Sequence, residues 1–331
     1  MRALVYEGEE TLTIRHVPDP EPGEGEVLVQ IKASGICGSD MHAYLGHDER
    51  RPPPLILGHE AAGLIASGPK AGTRVTINPL VSYGSGAAAI GGRSNLCNQR
   101  QIISMMPRPG AFAEYVSIPM GNLIEVPDHV SFDQAALAEP LACGWHAVRL
   151  AFRVSIIAPD QAKCLVLGGG AIGFGAALAL RAFGVKDITV VEPNEARRAN
   201  LAKHCDFTLL PANPPEGDQL GSMDVVIDGV GYAQTREAAC AFVKPGGVIA
   251  HIGLGSGEGG LDIRRMTLQE ITFFGTYTYT AQDFADTAAA IFDGSLGDLS
   301  WIEARDLDQG AQAFIDLKAQ QVIAPKIILH P

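Results

Sequence analysis

No two cysteines in this chain stand in a C-x-x-C, although six are present, at positions 37, 97, 143, 164, 205 and 240. Scattered in this way they offer no disulfide framework and read as free, mostly buried thiols, which is the expectation for a cytoplasmic protein. Aromatic residues are scarce, at 6%, and positive charge is the minority sign. The 25 Lys and Arg against 37 Asp and Glu give a formal net charge of -12, and no basic cluster is longer than the pairs Arg50-Arg51, Arg197-Arg198 and Arg264-Arg265. A surface for nucleic acid or anionic lipid needs the opposite sign, so neither is expected as a partner. No secretory leader is expected either: the first residues, MRALVYEGEETLTIRHVPDP, carry acid from position 7 and no apolar stretch of the required length. The nearest approach to a long hydrophobic run, Cys164 to Leu180, is interrupted by glycines and closed by Arg181. It reads as a buried strand, turn and helix rather than a membrane span.

What is present suits a tightly packed α/β protein of about two domains: 331 residues, 47% hydrophobic, with 38 glycines. Up to about position 140 the chain is a series of short β segments punctuated by Gly and Pro, among them RALVYEG, EVLVQIKASGIC, AAGLIASG, RVTINP and FAEYVSIP. Such spacing predicts a small β barrel or sandwich. The stretch DQAALAEPLACGWHAVRLAF has helical periodicity and serves as a connector. From Lys163 the rhythm becomes strand, helix, strand, with KCLVLGGG, ITVVEP, DVVIDGVG, GGVIAHIGLG and ITFFGTYTY as the β runs. That alternation predicts a doubly wound parallel sheet. Mixed helices and a final strand, PKIILHP, close the chain, and no internal repeat is evident.

Gly168, Gly170 and Gly173 form a G-x-G-x-x-G between the strand CLVL and the helix IGFGAALALRAFG. The first glycine permits the tight turn, the second lets backbone approach a pyrophosphate, and the third lets helix pack on strand. Free N–H groups and the positive dipole end of the helix face the phosphates. The next strand ends at Glu192, 24 positions after Gly168, where a carboxylate takes the adenosine ribose hydroxyls and repels a 2′-phosphate. NAD is therefore the expected dinucleotide, with Arg197 and Arg198 close enough to weaken that preference.

The second signal lies in GICGSDMH, residues 35 to 42, and GHE, residues 58 to 60. Cys37 supplies a thiolate and His59 an imidazole, both good zinc ligands, and Glu60 adds a hard oxygen. Neighbouring side chains on a strand point to opposite faces, so His59 and Glu60 reach one metal only if the backbone turns, as Gly58 allows. Glu139, in AEPLACGWH, is a carboxylate in an otherwise apolar stretch.

These motifs, in this order and spacing over nearly the whole chain, resemble the zinc-dependent medium-chain dehydrogenase/reductase superfamily, and within it the sorbitol (polyol) and idonate dehydrogenase branch. The resemblance implies an α/β protein with a GroES-like β-barrel catalytic domain over residues 1–140, completed by 281–331. A Rossmann domain with a doubly wound parallel sheet is implied over 141–280. It implies that Cys37, His59 and Glu60 bind one catalytic zinc, that Glu139 completes the site directly or through water, and that Asp40 braces His59. Ile172, Glu192 and Arg197 are implied to hold the dinucleotide, and Ile252, Gly253, Leu254, Thr276, Tyr277 and Thr278 to line nicotinamide and substrate. The implied reaction is reversible alcohol oxidation with NAD, the proton leaving through Ser39, the cofactor ribose and His42. A homodimer or homotetramer is implied, with ITFFGTY as a strand that pairs with its twin.

The chain departs from the family at two places. Relatives carry a structural zinc on four cysteines spaced C-x2-C-x2-C-x7-C, and the corresponding positions here are Tyr83, Gly86, Ala89 and Cys97. One thiolate cannot build a tetrahedral site, so no structural zinc is expected. Thr278 stands where polyol dehydrogenases tend to have an arginine, which removes a group that would grip sugar hydroxyls. Tyr44, His47, Phe112, Leu254 and Tyr277 are candidate pocket residues. A zinc-free quinone or enone reductase, or a non-catalytic dinucleotide-binding sensor, has no use for Cys37, His59, Glu60 and Glu139 together with Ser39 and His42.

Overall fold

The computed structural model describes residues 1–82, 91–212 and 220–331. The chain forms two compact units, one of Met1–Glu139 with Thr280–Asp293 and Ile302–Pro331, the other of Pro140–Tyr279 with Gly294–Trp301. Among the described residues no helix is long and apolar enough to cross a membrane.

The first unit is organised around one ten-residue strand. Its strands are β1 (Arg2–Gly8), β2 (Thr11–His16), β3 (Glu26–Gly35), β4 (Leu55–Ile56), β5 (Glu60–Ile65), β6 (Arg74–Ile77), β7 (Leu80–Val81), β8 (Gln101–Ile102), β9 (Tyr115–Pro119) and β10 (Leu123–Glu125). After the second unit the chain returns to add β17 (Ile302–Asp306) and β18 (Lys326–His330). The order β10-β6-β5-β3-β18-β17 makes one sheet, in which β9 also pairs with β3. In β3, Val27, Val29, Ile31 and Ala33 alternate inward, the period-two pattern of a half-buried strand. The N-terminal half of β3 pairs with β9, while its last two residues, Ser34 and Gly35, pair with β18. A register shift against β5 between Ile31 and Ala33 bends the strand at the change of partner. Beside this sheet Leu4, Phe112 and Phe314 are fully buried in one apolar cluster, each worth about 1.5–3 kcal/mol of transfer free energy.

In the second unit β11 (Lys163–Leu167), β12 (Asp187–Val191), β13 (Thr208–Leu210), β14 (Met223–Asp228), β15 (Val243–His251) and β16 (Thr272–Gly275) form a parallel sheet in the order β13-β12-β11-β14-β15-β16. The order reverses between β11 and β14, the switch point at which ligands bind in such sheets. Every residue of β14 is buried, as expected of a strand covered on both faces.

The connector read as one helix is two, Phe132–Ala136 and Ala138–Val154. Ser131 and Gln134 cap the first reciprocally, and Pro140, which cannot donate a backbone hydrogen bond, sits in the opening turn of the second.

Candidate active site

The cation-like cluster lies wholly in the first unit, and three local devices build it. Cys37 precedes the helix Gly38–Tyr44, its N–H donating to Asp40 Oδ2 at 3.0 Å. Asp40 is fully buried, and its Oδ1 accepts from Gly58 N at 3.2 Å and lies 3.5 Å from His59 Nδ1. Asp40 thus ties the helix to the turn that carries His59. Burial raises its pKa, but His59, Arg51 and the Cys37 N–H outweigh this and hold the carboxyl at about 2. The turn depends on Gly58, at φ +91, where a Cβ would also come within 2.5 Å of the Phe112 ring. Burial disfavours protonated His59, yet Asp40 and then Cys37 more than offset it, leaving its pKa well above the usual value. Proton and cation compete for that ring.

Glu60 opens β5 opposite Gly35 of β3, and a Cβ on Gly35 would overlap Glu60 Oε2. Oε1 accepts from Lys326 Nζ at 2.6 Å. Oε2 is buried with no hydrogen-bond partner, as is His59 Nδ1. One ligand atom each from Cys37, His59 and Glu60 lie within 4.8 Å of one another. Sulfur, nitrogen and oxygen donors gathered this closely, with a buried carboxylate oxygen unsatisfied, fit a zinc ion. Glu139 stands outside this group of three. It is buried, the second residue of its helix, and its charge acts on the Lys326 ammonium.

Ser39 is half-buried, and its carbonyl and hydroxyl accept from Arg51 at 3.1 and 3.4 Å. Arg51 is itself buried, held by Ser104 O at 2.9 Å and Asp48 at 2.8 Å. His42, one helical turn beyond Ser39, is exposed, its ring 6.4 Å from that of His47. Tyr44 and Phe112 do not line a pocket: both are buried in the core against Phe314, at ring distances of 5.2 and 6.0 Å. Of the four positions matched to the structural-zinc lobe, Tyr83, Gly86 and Ala89 lie outside the described residues, and Cys97 is buried.

All the dinucleotide candidates lie in the second unit. Gly168 adopts φ +100, and a Cβ on Gly173 would overlap Gly168 O, so the turn and the close helix approach both need bare Cα atoms. Gly170 caps the helix Ala171–Ala182, with Ile172 in its first turn. Glu192 is buried, its two oxygens each accepting a backbone N–H at 2.9 Å, from Gly169 and Asn194. Arg197 lies 3.9 Å from the carboxylate, and Arg198 donates to the carbonyls of Glu192 and Pro193 at 2.6 and 2.8 Å. The N–H groups of Ile252 and Gly253 both reach Asp228 O, and Thr276 N reaches His251 O at 2.9 Å. Gly253 and the exposed Leu254 line a cavity of about 620 Å³ with His251, Arg236 and Phe273. Tyr277 is half-buried, and Thr278 holds φ +47 with its hydroxyl buried and unpartnered. That backbone conformation is rare for a β-branched residue.

Motif reading missed Lys326 and Arg51, and it gave no role to Gly35, the first residue of GICGSDMH. Arg51 lies between the two motifs without belonging to either, and a lone lysine at a strand start carries no signal until the strand's neighbour is known.

A doubly wound nucleotide fold and a Cys-His-Glu cation cluster in one chain define a metal-assisted, dinucleotide-dependent oxidoreductase. Residues 23–128 match the alcohol dehydrogenase GroES-like domain, and residues 171–293 match the zinc-binding dehydrogenase domain. The chain is 32% identical over 309 residues to L-galactonate-5-dehydrogenase of Escherichia coli K12, covering 89% of this chain and 88% of that protein. Over 298 residues it is 33% identical to sorbitol dehydrogenase of Bacillus subtilis, covering 84% and 82%. Acetophenone reductase from Geotrichum candidum, solved with NAD, superposes with a TM-score of 0.88 over 100% of this chain and 97% of that one, at 26% identity. The chain belongs to the zinc-dependent medium-chain dehydrogenase/reductase superfamily, in its polyol dehydrogenase branch. It is an alcohol oxidoreductase that uses zinc and a nicotinamide dinucleotide, with a GroES-like β-barrel and a Rossmann fold.

Proposed function

We propose that this chain reversibly oxidises a secondary alcohol of a polyhydroxylated or sugar-acid substrate with NAD, using one catalytic zinc held by Cys37, His59 and Glu60. The observation that carries the reading is the convergence of those three side chains within 4.8 Å with Glu60 Oε2 buried and unsatisfied. Relatives named for L-galactonate and for sorbitol support the substrate class. A bound zinc supplies Lewis acidity that lowers the pKa of the alcohol. Asp40 orients the His59 ring, and Glu139, outside the close group, completes the site through water. Ser39 Oγ accepts the alcohol proton as it releases its own hydroxyl proton outward, and His42, exposed one helical turn away, hands the released proton to solvent.

Glu192 supports NAD over NADP, because two backbone N–H groups fix its carboxylate where a 2′-phosphate would lie. Arg198, bound to two carbonyls, is not poised to take that phosphate. Catalysis is assigned to the Met1–Glu139 unit and dinucleotide binding to the Pro140–Tyr279 unit. A single zinc fits Cys97 being the sole cysteine among the four lobe positions. Six free cysteines fit a cytoplasmic setting. Self-association uses the open edge of β16.

The test is turnover across polyols, sugar acids and simple secondary alcohols with NAD and with NADP, with zinc content measured on the same sample. NAD-linked turnover with about one zinc per chain is the expected outcome. Bound zinc and dinucleotide without turnover of any alcohol would refute it in favour of a non-catalytic role.

A further inference from the structure

Lys326 begins β18, and β18 joins β3 through Ser34 and Gly35, next to the point where β3 meets Glu60 of β5. The lysine side chain is 4% exposed. Its ammonium donates to Glu60 Oε1 at 2.6 Å and to Ile36 O at 2.8 Å. Glu60 is thereby held from both sides: Lys326 takes one oxygen, while the other rests over the bare Cα of Gly35 and has no hydrogen-bond partner. Cys37 and Glu139 also act electrostatically on the same ammonium. A buried charge is costly to desolvate, and an apolar residue of similar volume commonly serves a fold as well or better. The lysine therefore calls for a reason in the charge of its surroundings.

We propose that Lys326 is a positioning residue for the metal centre, which confines Glu60 to one oxygen toward the cation and balances the excess negative charge of the donor set. The proposal rests on the reading of Cys37, His59 and Glu60 as the zinc site. The Cys37 thiolate, Glu60 and Glu139 carry three negative charges against a divalent cation, and the Lys326 ammonium cancels the remaining one. With the ammonium in place, Glu60 cannot offer both oxygens, and the cation keeps more of its positive field for the alcohol. Without it, Glu60 swings to two-oxygen contact, the cation is held more tightly, and it acidifies the alcohol less.

The experiment compares wild type, Lys326→Met, Lys326→Arg and Cys37→Ser. Zinc affinity is read by competition with a chromophoric chelator, the cobalt(II)-loaded protein by absorption spectroscopy, and folding by thermal melting. Lys326→Met is expected to bind zinc at least about tenfold more tightly, the scale of one unit charge at partly screened distance. Its cobalt bands shift, and its pH profile for alcohol oxidation moves up by about one unit. Lys326→Arg keeps wild-type values in all three. Wild-type affinity and an unchanged cobalt spectrum in Lys326→Met would overturn the proposal, as would weaker binding. If the Met variant does not fold, Lys326→Gln decides by affinity alone, tighter binding supporting the proposal and wild-type binding overturning it. A wild type that binds no metal, or a Cys37→Ser variant that binds it equally, sinks the zinc-site reading and the proposal together. Altered metal binding in Cys37→Ser with none in the Lys326 variants sinks the proposal alone.

Discussion

Single side chains in this protein are set to tasks by what holds their other end. Ser39 has its carbonyl and hydroxyl engaged by a buried arginine, whereas His42 is exposed in the last turn of the same short helix. That arrangement suits a fixed inner hydroxyl and an outer group that exchanges protons with solvent. His42→Ala is expected to lower kcat by up to about 10²-fold and to remove one limb of the pH–rate profile while leaving zinc content unchanged. An unaltered profile would take His42 out of the relay. Glu192 makes the corresponding case in the dinucleotide site, because two backbone donors leave its carboxylate no alternative position. Glu192→Gln is expected to reduce the preference for NAD over NADP at least about tenfold, close to 1.4 kcal/mol, measured as the ratio of kcat/KM values. An unchanged ratio would mean that another residue sets the choice of cofactor.

Whole elements show which features a sequence carries openly. The strand, glycine turn and helix from Cys164 to Leu180 are legible because every part of that unit is determined by its neighbours in sequence, and the parallel sheet follows from its repetition. GHE is equally legible, since Gly58 permits the turn that the donors need. Lys326 is not, because its partner lies 266 positions away and only the pairing of β18 with β3 joins them. Tyr44 and Phe112 misled for the same reason: aromatics near a motif suggest a pocket, until Phe314 of the distant helix Gly310–Lys318 proves to be what they pack against. At the end of β15, His251 lies 3.5 Å from Asp228. Burial lowers its pKa, Asp228 opposing and Arg236 adding to the fall. The unfolded chain therefore takes up a proton near pH 6.5 that the folded protein resists. Stability from this group is full above that pH and declines as pH drops toward the lower folded value. His251→Gln is expected to flatten the dependence of Tm on pH between about pH 7 and 5. An identical slope in the variant would show that other groups govern acid sensitivity there.

In the molecule as a whole two features have consequences, the edge strand β16 and the interrupted first unit. Among the described residues β16 has β15 as its sole neighbour in the sheet, and the adjoining segments expose Leu254, Ile263 and Leu268 at 75%, 62% and 70%. An unprotected edge beside exposed apolar side chains favours pairing with a second copy. Light scattering is expected to give a dimer or tetramer for the wild type and a smaller species for Ile263→Glu combined with Leu268→Glu. A monomeric wild type would refute edge pairing. The interrupted unit has a consequence in time. Its barrel sheet waits for β17 and β18, which follow the entire nucleotide-binding sheet in the chain. At 5–20 residues per second a ribosome delivers Lys326 roughly 13–50 s after Glu60. Until then Ser34 and Gly35 of β3 are paired with β5 alone, without β18 on their other side, and the glutamate lacks the Lys326 ammonium. The three donors Cys37, His59 and Glu60 have all emerged by then, and on the role proposed for Lys326 an ion taken up in that interval meets a tighter site than the finished one, which the arrival of β18 then loosens.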